Sequence, residues 1–332
     1  DVASPEMSIL GDANITQLQG VAWVDPGVEA HDVRDGNLTS SVSVSGTVDV
    51  NTTGTYTLTY TVSDAANNVA SITRIVTVVA GQASTHTADL NASVSMEMIW
   101  VQPGSFTMGS PTTEAGRSTV TDRETEHNVT LTKGFYLGKY EVTQAQYEAV
   151  MTGNSNSLSA TPSQYTGNAN RPVEKVSWDD AQIFLTRLNA AEQAAGRLPA
   201  GWSYVLPTES EWEYVCRAGT TTAYSWGATI EPSNANYDNN VGQPRDVGQY
   251  AANPWGLFDM HGNVWEWSAD WNGTYPVGPV TDPLGAATGS KRVIRGGSFY
   301  FAGASSRSAA RNTPGVSHGD LGFRLAFKQI TT

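Results

Sequence analysis

Cys216 is the only cysteine in the 332-residue chain, so any thiol chemistry depends on this one residue. A soft metal ion held by thiolates needs at least two of them, and a single cysteine also excludes an intrachain disulfide. Cys216 belongs to the segment Trp212-Glu-Tyr-Val-Cys-Arg-Ala-Gly219, which has the pattern of a short helix. A free cysteine in such a place behaves as a small hydrophobic side chain. The sequence therefore predicts a structural role for Cys216.

The five histidines do not form a recognisable catalytic or metal-binding motif. They are His31, His86, His127, His261 and His318, and no two of them are spaced i, i+4. The chain also lacks a His-x-x-x-His-x-Glu sequence and a Gly-Lys-Ser/Thr phosphate loop. These absences argue against a non-haem iron site and against a P-loop nucleotide site.

Composition and charge exclude two classes of partner. The chain has 19 basic and 32 acidic residues and a net charge of −13, whereas affinity for a phosphate backbone comes mainly from Lys and Arg. No run of 18 or more apolar residues occurs, so the sequence predicts no membrane insertion. We therefore expect neither a nucleic-acid partner nor a membrane-spanning segment in the chain.

Residues 1–80 have the pattern of a small β-sandwich. Thr55–Val62 alternates strictly between threonines and larger apolar residues, Asp64–Asn68 has turn composition, and Ser71–Val79 reads as the partner strand. This segment resembles the bacterial and archaeal Ig-like surface modules that often act as spacers. A ligand site in the module is the alternative, but no cluster of aromatic or charged residues supports it.

Residues 81–94 are small, polar and non-periodic at their start, and we interpret them as a linker. In the longer region that follows, Thr143 and Ser177 have the sequence context of N-caps, and a third short helix is predicted after Thr208. Brief capped helices separated by long irregular stretches predict a core of a few strands with loops over most of the surface.

Three motifs frame the C-terminal half of this region. Gly256-Leu-Phe-Asp-Met-His-Gly-Asn-Val-Trp-Glu-Trp267 is followed by Arg295-Gly-Gly-Ser298 and then by Gly322-Phe-Arg324. Together they resemble the formylglycine-generating enzyme (sulfatase-modifying factor) family, a branch of the C-type-lectin-like folds. The resemblance covers most of the chain from Met96 onward. It implies an α+β, C-type-lectin-like domain over residues 95–332, preceded by the all-β Ig-like sandwich.

Oxidases of that family carry a cysteine pair shortly after the Gly-Gly-Ser motif, which holds copper and attacks the substrate thiol. In this chain the 23 residues Phe299–Leu321 contain no cysteine, and Phe301 with Ser305 or Ser306 occupies the corresponding place. Serine neither binds Cu(I) as a thiolate nor forms a disulfide. The resemblance therefore implies an enzyme-like scaffold without the catalytic cysteine pair.

The turn Asn263-Val-Trp-Glu266 is the candidate metal site that this resemblance implies. In the related enzymes the matching turn supplies oxygen ligands to a structural calcium ion. Here these would be the Asn263 side chain, the Val264 carbonyl and the Glu266 carboxylate, with Asn236 at a second site, and such oxygen ligands suit Ca²⁺. The alternative is that the side chains only hydrogen-bond the turn. No other cofactor is expected.

The segment Phe299–Asp320 contains no Lys, Glu, Gln, Met or Trp, and each of its residues has a codon ending in a pyrimidine. Such codons are reachable when the adenines of an Asn codon are randomised. The segment resembles the variable region of diversity-generating retroelement proteins, which diversify positions on a scaffold of this type. The resemblance implies a variable region within residues 295–324. The implied ligand-binding residues are Phe299, Tyr300, Phe301, Ala304, Ser305, Ser308, Ala310, Asn312, Thr313, Val316, His318 and Asp320.

Large aromatic residues beside small hydrogen-bonding residues are typical of antibody paratopes. The sequence therefore favours non-enzymatic recognition of a protein or glycan on a cell surface. The Ig-like module would hold the recognition domain away from a virion or cell envelope, outside the cell. Two alternatives stay open. One is an invariant secreted or surface adhesin of the same family, and the other is a residual oxidase.

Overall fold

The computed structural model describes residues 2–18, 23–79, 84–120, 123–314 and 318–330. The chain folds into two compact units, Asp1–Ala83 and Ser84–Thr332.

The first unit consists of two small sheets. Its strands are β1 (Glu6–Ile9), β2 (Asn14–Leu18), β3 (Val28–Asp32), β4 (Gly36–Asn37), β5 (Ser43–Ser45), β6 (Gly54–Ser63) and β7 (Val69–Val79). One sheet has the order β1-β3-β4 and the other β2-β7-β6-β5.

Side chains from both sheets share one apolar core, in which Val28 of β3 packs with Leu58 and Tyr60 of β6. The alternation in β6 is confirmed, because Leu58, Tyr60 and Val62 are buried while Thr59 and Thr61 between them are half-buried. Asp64–Asn68 forms the predicted turn, and Asn67 has a positive φ of 66°. The predicted sandwich is therefore present.

The second unit is sheet-rich, with few helices. Its strands are β8 (Thr85–Asp89), β9 (Ser95–Val101), β10 (Gly104–Met108), β11 (His127–Leu131), β12 (Phe135–Gly138), β13 (Trp202–Val205), β14 (Trp265–Trp271), β15 (Val280–Thr281), β16 (Arg292–Arg295), β17 (Arg311–Asn312), β18 (Leu321–Gly322) and β19 (Ala326–Gln329). They form a five-stranded sheet β13-β19-β12-β9-β8, a four-stranded sheet β17-β16-β14-β18 and a three-stranded sheet β10-β11-β15.

Three α-helices occur in the described part of this unit, namely α1 (Gln144–Met151), α2 (Trp178–Ala194) and α3 (Glu209–Arg217). Each begins with a complete capping box, in which Thr143, Ser177 or Thr208 exchanges hydrogen bonds with the third helical residue. The predicted starts of α1 and α2 are confirmed. Helix α3 is buried at all nine of its positions, so it is an internal element of the core.

The linker prediction for residues 81–94 is wrong over Thr85–Asp89. These residues form β8, which pairs with β9 along its length. His86 also stacks on Phe327 with ring centroids 4.5 Å apart and contacts the Tyr204 hydroxyl at 2.7 Å. Tertiary pairing with a neighbouring strand outweighs the polar composition that suggested a linker.

The four-stranded sheet places the three sequence motifs side by side. Glu266 of β14 lies opposite Arg295 of β16, which in turn lies opposite Arg311 of β17. Gly322 of β18 pairs with Glu266 in parallel. In the described ranges no helix is long and apolar enough to cross a membrane.

Candidate functional site: an anchored C-terminal segment with an exposed aromatic patch

Two glycines turn the chain into the segment that follows β16. Gly296 and Gly297 have φ values of 95° and 76°, a region that favours glycine. Gly297 also lies against the later part of the segment, because a Cβ there would come within 2.3 Å of Ser306 Oγ. The Gly-Gly sequence is therefore required by backbone conformation and by close packing.

The Arg295 side chain holds the backbone of residues 308–310, in the second half of the segment. Its guanidinium is fully buried, and it donates to the carbonyl oxygens of Ser308, Ala309 and Ala310 at 3.0, 2.9 and 2.7 Å. It also forms an ion pair with Glu213 of α3. One side chain thus ties three consecutive peptide groups to the helix.

Three further arginines continue this framework. Arg307 pairs with Glu124 through two hydrogen bonds of 2.9 Å and with Glu114, whereas Arg311 pairs with Glu209 at 2.6 Å. Each is at most 7% exposed. The burial of both charges of each pair makes the loss of one partner costly.

Arg324 is the most fully bonded of the four. It makes three contacts of 2.8–3.1 Å with the Glu266 carboxylate and donates to the carbonyl oxygens of Gly138 and Phe258 at 2.8 Å. The four arginines thus make several hydrogen bonds each, to backbone carbonyls and to carboxylates. A segment with little regular secondary structure is therefore held by buried side chains.

The exposed part of the segment centres on two aromatic rings, which we call the aromatic patch (Tyr300 and Phe301). Tyr300 is 61% exposed and Phe301 is 37% exposed, and their ring centroids lie 5.8 Å apart. Phe301 also meets the buried ring of Trp265 edge-on at 5.7 Å. The backbone beneath is fixed, because the amides of Asn239 and Asp238 donate to the carbonyls of Phe299 and Phe301.

The other members of the predicted set that are not fully buried lie in different surroundings. His318 is exposed, and Asp320 is half-buried with a 2.8 Å hydrogen bond from Ser298. Ala304 is exposed and Ser305 half-buried, in the 3₁₀ turn Gly303–Ser306. Asn312 and Thr313 are half-buried, and Thr313 lines a shallow cleft with Arg123 and Arg311.

Three residues predicted to bind ligand are buried instead. Phe299 is 3% exposed and packs edge-on against Tyr165, while Ser308 is 0% and Ala310 is 5% exposed. They face the core because Arg295 draws the 308–310 backbone inward and Phe299 fills the space beside Tyr165. Burial removes them from the surface that a ligand can reach. Val316 lies outside the described residues.

Cys216 is buried beside His261, with the sulfur 3.6 Å from the imidazole Nε2. Burial raises the pKa of the Cys216 thiol to about 12 and lowers the pKa of His261 to about 4. His261 Nδ1 lies 2.7 Å from the Ser306 carbonyl, and its Nε2 accepts from the Ser225 amide. Both groups are therefore neutral near pH 7, which fits a structural pair and not a thiolate–imidazolium couple.

Protein groups already occupy the side-chain oxygens of Glu266 and Asn263, two of the residues predicted to bind calcium. The Glu266 carboxylate is engaged by the Arg324 guanidinium and by the Trp212 indole N–H at 2.7 Å. The Asn263 amide donates to Glu141 at 2.6 Å, and its oxygen accepts from the Arg245 amide at 2.9 Å. The described residues also contain no group of three or more His, Cys, Asp or Glu side chains suited to a metal. Asn236 donates its amide to Asn263, whereas its Oδ1 is buried and has no hydrogen-bond partner. A calcium ion at Asn263, Val264 and Glu266, with Asn236 at a second site, therefore stays a prediction.

Comparison with known proteins agrees with this architecture. Residues 83–329 match the sulfatase-modifying factor enzyme 1-like domain, and residues 7–78 match a bacterial surface protein Ig-like domain. The chain therefore belongs to the sulfatase-modifying factor family and carries an additional Ig-like surface module.

Individual relatives include both an enzyme and a variable protein. The formylglycine-generating enzyme of Streptomyces coelicolor is 38% identical over 187 residues, which are 49% of this chain and 55% of that protein. Variable protein 1 of Treponema denticola superposes with a TM-score of 0.60 at 26% identity, covering 74% of this chain and 99% of its own. PvdO from Pseudomonas aeruginosa gives a TM-score of 0.63 at 25% identity, covering 75% of this chain and 100% of its own. The chain thus spans little more than half of the Streptomyces enzyme.

Proposed function

We propose that residues 84–332 form a non-enzymatic recognition domain that binds a protein or glycan on a cell surface. The observation that carries this proposal is the aromatic patch, because its exposed rings rest on a segment that the buried Arg295, Arg307 and Arg311 tie to the rest of the domain. Rigid aromatic side chains provide contact area at a small cost in conformational entropy. A backbone conformation that is fixed before binding further reduces the entropy lost on binding.

The same segment argues against the oxidase chemistry of the enzymatic relatives. The chain offers one thiol, Cys216, and burial keeps it protonated. A Cu(I) site of the kind those oxidases need requires a second soft ligand. Serines and a phenylalanine occupy the place of the cysteine pair.

Diversification is a second part of the proposal. The codon pattern of Phe299–Asp320 and the likeness to a variable protein both favour a retroelement-diversified surface on a C-type-lectin-like scaffold. In that case the buried Phe299, Ser308 and Ala310 contribute to shape beneath the surface, while Tyr300, Phe301, Ala304 and His318 face the ligand. The Ig-like unit supports placement outside the cell, on an envelope or virion.

Cell-binding measurements test recognition directly. The labelled full chain is applied to a glycan array and to a panel of intact cells followed by flow cytometry. We expect the double variant Tyr300→Ala/Phe301→Ala to lose at least about tenfold in binding, since aromatic anchors dominate interfaces. Val277→Ala is the matched control, because Val277 is fully exposed and lies outside the segment.

Equal binding by the double variant and the wild-type chain would remove the aromatic patch as the site. Protease treatment of the cells abolishes binding if the ligand is a protein, and glycosidase treatment does so if it is a glycan. The neighbouring DNA separates a diversified protein from an invariant adhesin. A diversified protein requires a near-identical repeat of the codons for residues 295–324, altered at adenines, beside a reverse transcriptase gene.

A further inference from the structure

A cavity of about 480 Å³ lies away from the aromatic patch. It is bounded by the start of α3, the end of β14 and residues 273–286, which include β15. Cavities of this size accommodate small ligands or a single large side chain. Its polar groups include Glu209, Asp270 and Arg311, and its wall includes Pro276, Val280 and Leu284.

The two carboxylates of the cavity differ in how their charge is balanced. Glu209 pairs with Arg311 at 2.6 Å and accepts from the Tyr275 hydroxyl at 3.1 Å. Asp270 is 3% exposed, and its Oδ2 accepts from the Glu209 amide at 2.7 Å. Among the described residues Asp270 forms no ion pair, and its Oδ1 accepts no hydrogen bond. A buried carboxylate without a cationic partner is energetically costly.

Arg292 forms no ion pair with Asp270 among the described residues, because its guanidinium contacts other groups. Its guanidinium lies 3.5 Å from the Trp271 ring centroid and 3.8 Å from that of Trp178, and it donates to the Ala269 carbonyl. Burial, together with the charges of Glu209 and Glu211, raises the pKa of Asp270 to about 7, although Arg311 opposes the shift. A cation that entered the cavity would stabilise the ionised form of Asp270.

The chemistry of the wall decides which cation fits. Glu209 is already engaged by Arg311 and Tyr275, which leaves Asp270 as a single carboxylate, whereas a hard metal ion takes several oxygen ligands. Prolines, a valine and Leu284 instead offer apolar surface beside the carboxylate. Such a wall suits the methylene stem of an organic cation.

We propose that this cavity binds an ammonium group on a short apolar stem, which pairs with the Asp270 carboxylate. A lysine side chain of a macromolecular ligand and a free alkylamine share this chemistry. The site is separate from the aromatic patch, so the proposal stands or falls independently of the proposed recognition function.

Saturation-transfer NMR with the full chain provides the test. The probes are n-butylammonium and Nα-acetyl-lysine-N-methylamide, and their neutral counterparts are n-butanol and Nα-acetyl-norleucine-N-methylamide. We expect saturable binding of the cations with dissociation constants on the order of millimolar, given so few atoms. The neutral counterparts should bind at least about tenfold more weakly, the loss of one charge-assisted contact. Tighter binding of the lysine derivative indicates a side-chain ligand, and binding of n-butylammonium alone indicates a free amine.

Variants tie the binding to Asp270. Asp270→Asn keeps an oxygen that can accept from the Glu209 amide, and it should weaken cation binding at least about tenfold. Leu284→Lys adds a positive charge at the rim of the cavity and should also weaken cation binding. Leu284 is 76% exposed, so folding tolerates the change. Leu284→Met is its neutral control, and Tyr300→Ala should leave cation binding unchanged. The absence of saturable cation binding, equal binding of the neutral probes, or indifference to both Asp270→Asn and Leu284→Lys would overturn the proposal.

Discussion

Replacing Arg324 with methionine should destabilise the second unit strongly. The side chain is fully buried and makes three contacts with Glu266 and two with the carbonyls of Gly138 and Phe258. Arg324→Met preserves much of the volume but leaves the Glu266 charge buried and unpaired. Breaking a buried pair in this way costs about 3–5 kcal/mol. In a domain of 150–250 residues about 1 kcal/mol shifts Tm by 2–4 °C, so the expected drop is about 6–20 °C.

Tryptophan fluorescence during thermal unfolding of the full chain measures this effect. Trp23 is the only one of the ten tryptophans before residue 84, so the other nine report on the second unit. Tyr300→Ala is the matched surface control, and exposed substitutions shift stability by only about 0.5 kcal/mol.

A second substitution checks the physical reason. Glu266→Gln in the Arg324→Met background removes the orphaned charge, so it should restore part of the lost stability. A melting temperature within about 2 °C of wild type for Arg324→Met, or a further loss in the double variant, would refute the view that this ion pair stabilises the second unit.

The remaining predictions concern Phe299, the thiol and Asp270. Phe299→Ala should cost about 3–5 kcal/mol because the ring is buried, whereas a loss as small as that of Tyr300→Ala in the same melt would place it on the surface. A Cys-x-Pro-x-Arg peptide should yield no formylglycine by mass spectrometry with or without copper, and product that Cys216→Ala abolishes would restore the oxidase hypothesis. The pKa of Asp270 is raised to about 7 in the folded protein, so the folded chain binds more protons than the unfolded one and loses stability as pH rises from about 4 to 7. Asp270→Asn lacks this penalty, and its Tm relative to wild type should therefore rise over that interval, while a constant difference would contradict the assignment.

Local features of the sequence predict local structure well. The strand alternation of residues 55–62 and the caps at Thr143 and Ser177 depend on neighbours within four residues, and the structure shows each of them. The motifs Arg295-Gly-Gly-Ser298 and Gly322-Phe-Arg324 are recognised by family resemblance alone, because the partners of Arg295 and Arg324 lie far away in the sequence.

The features that could not be predicted from the sequence depend on contacts between residues far apart in the chain. Glu266 has the residue type of a calcium ligand, but Arg324, 58 positions later, occupies its oxygens. Phe299 and Tyr300 are adjacent aromatics, and only the position of Tyr165 decides which of them is buried. No local sequence feature indicates that Asp270 lacks an ion-pair partner, because this depends on Arg292 stacking between two tryptophans.

Strand β8 decides where an autonomous fragment of the second unit can begin. A fragment cut at residue 95, where composition suggests that a linker ends, would lose the strand that pairs with β9 from Thr85 to Asp89. The bare backbone edge of β9 would then be free to pair with other chains and to aggregate. Phe327 and Tyr204 would also lose the His86 ring that contacts them. Expression of the second unit on its own therefore calls for a start at or before residue 84, inside the stretch whose composition suggests a linker.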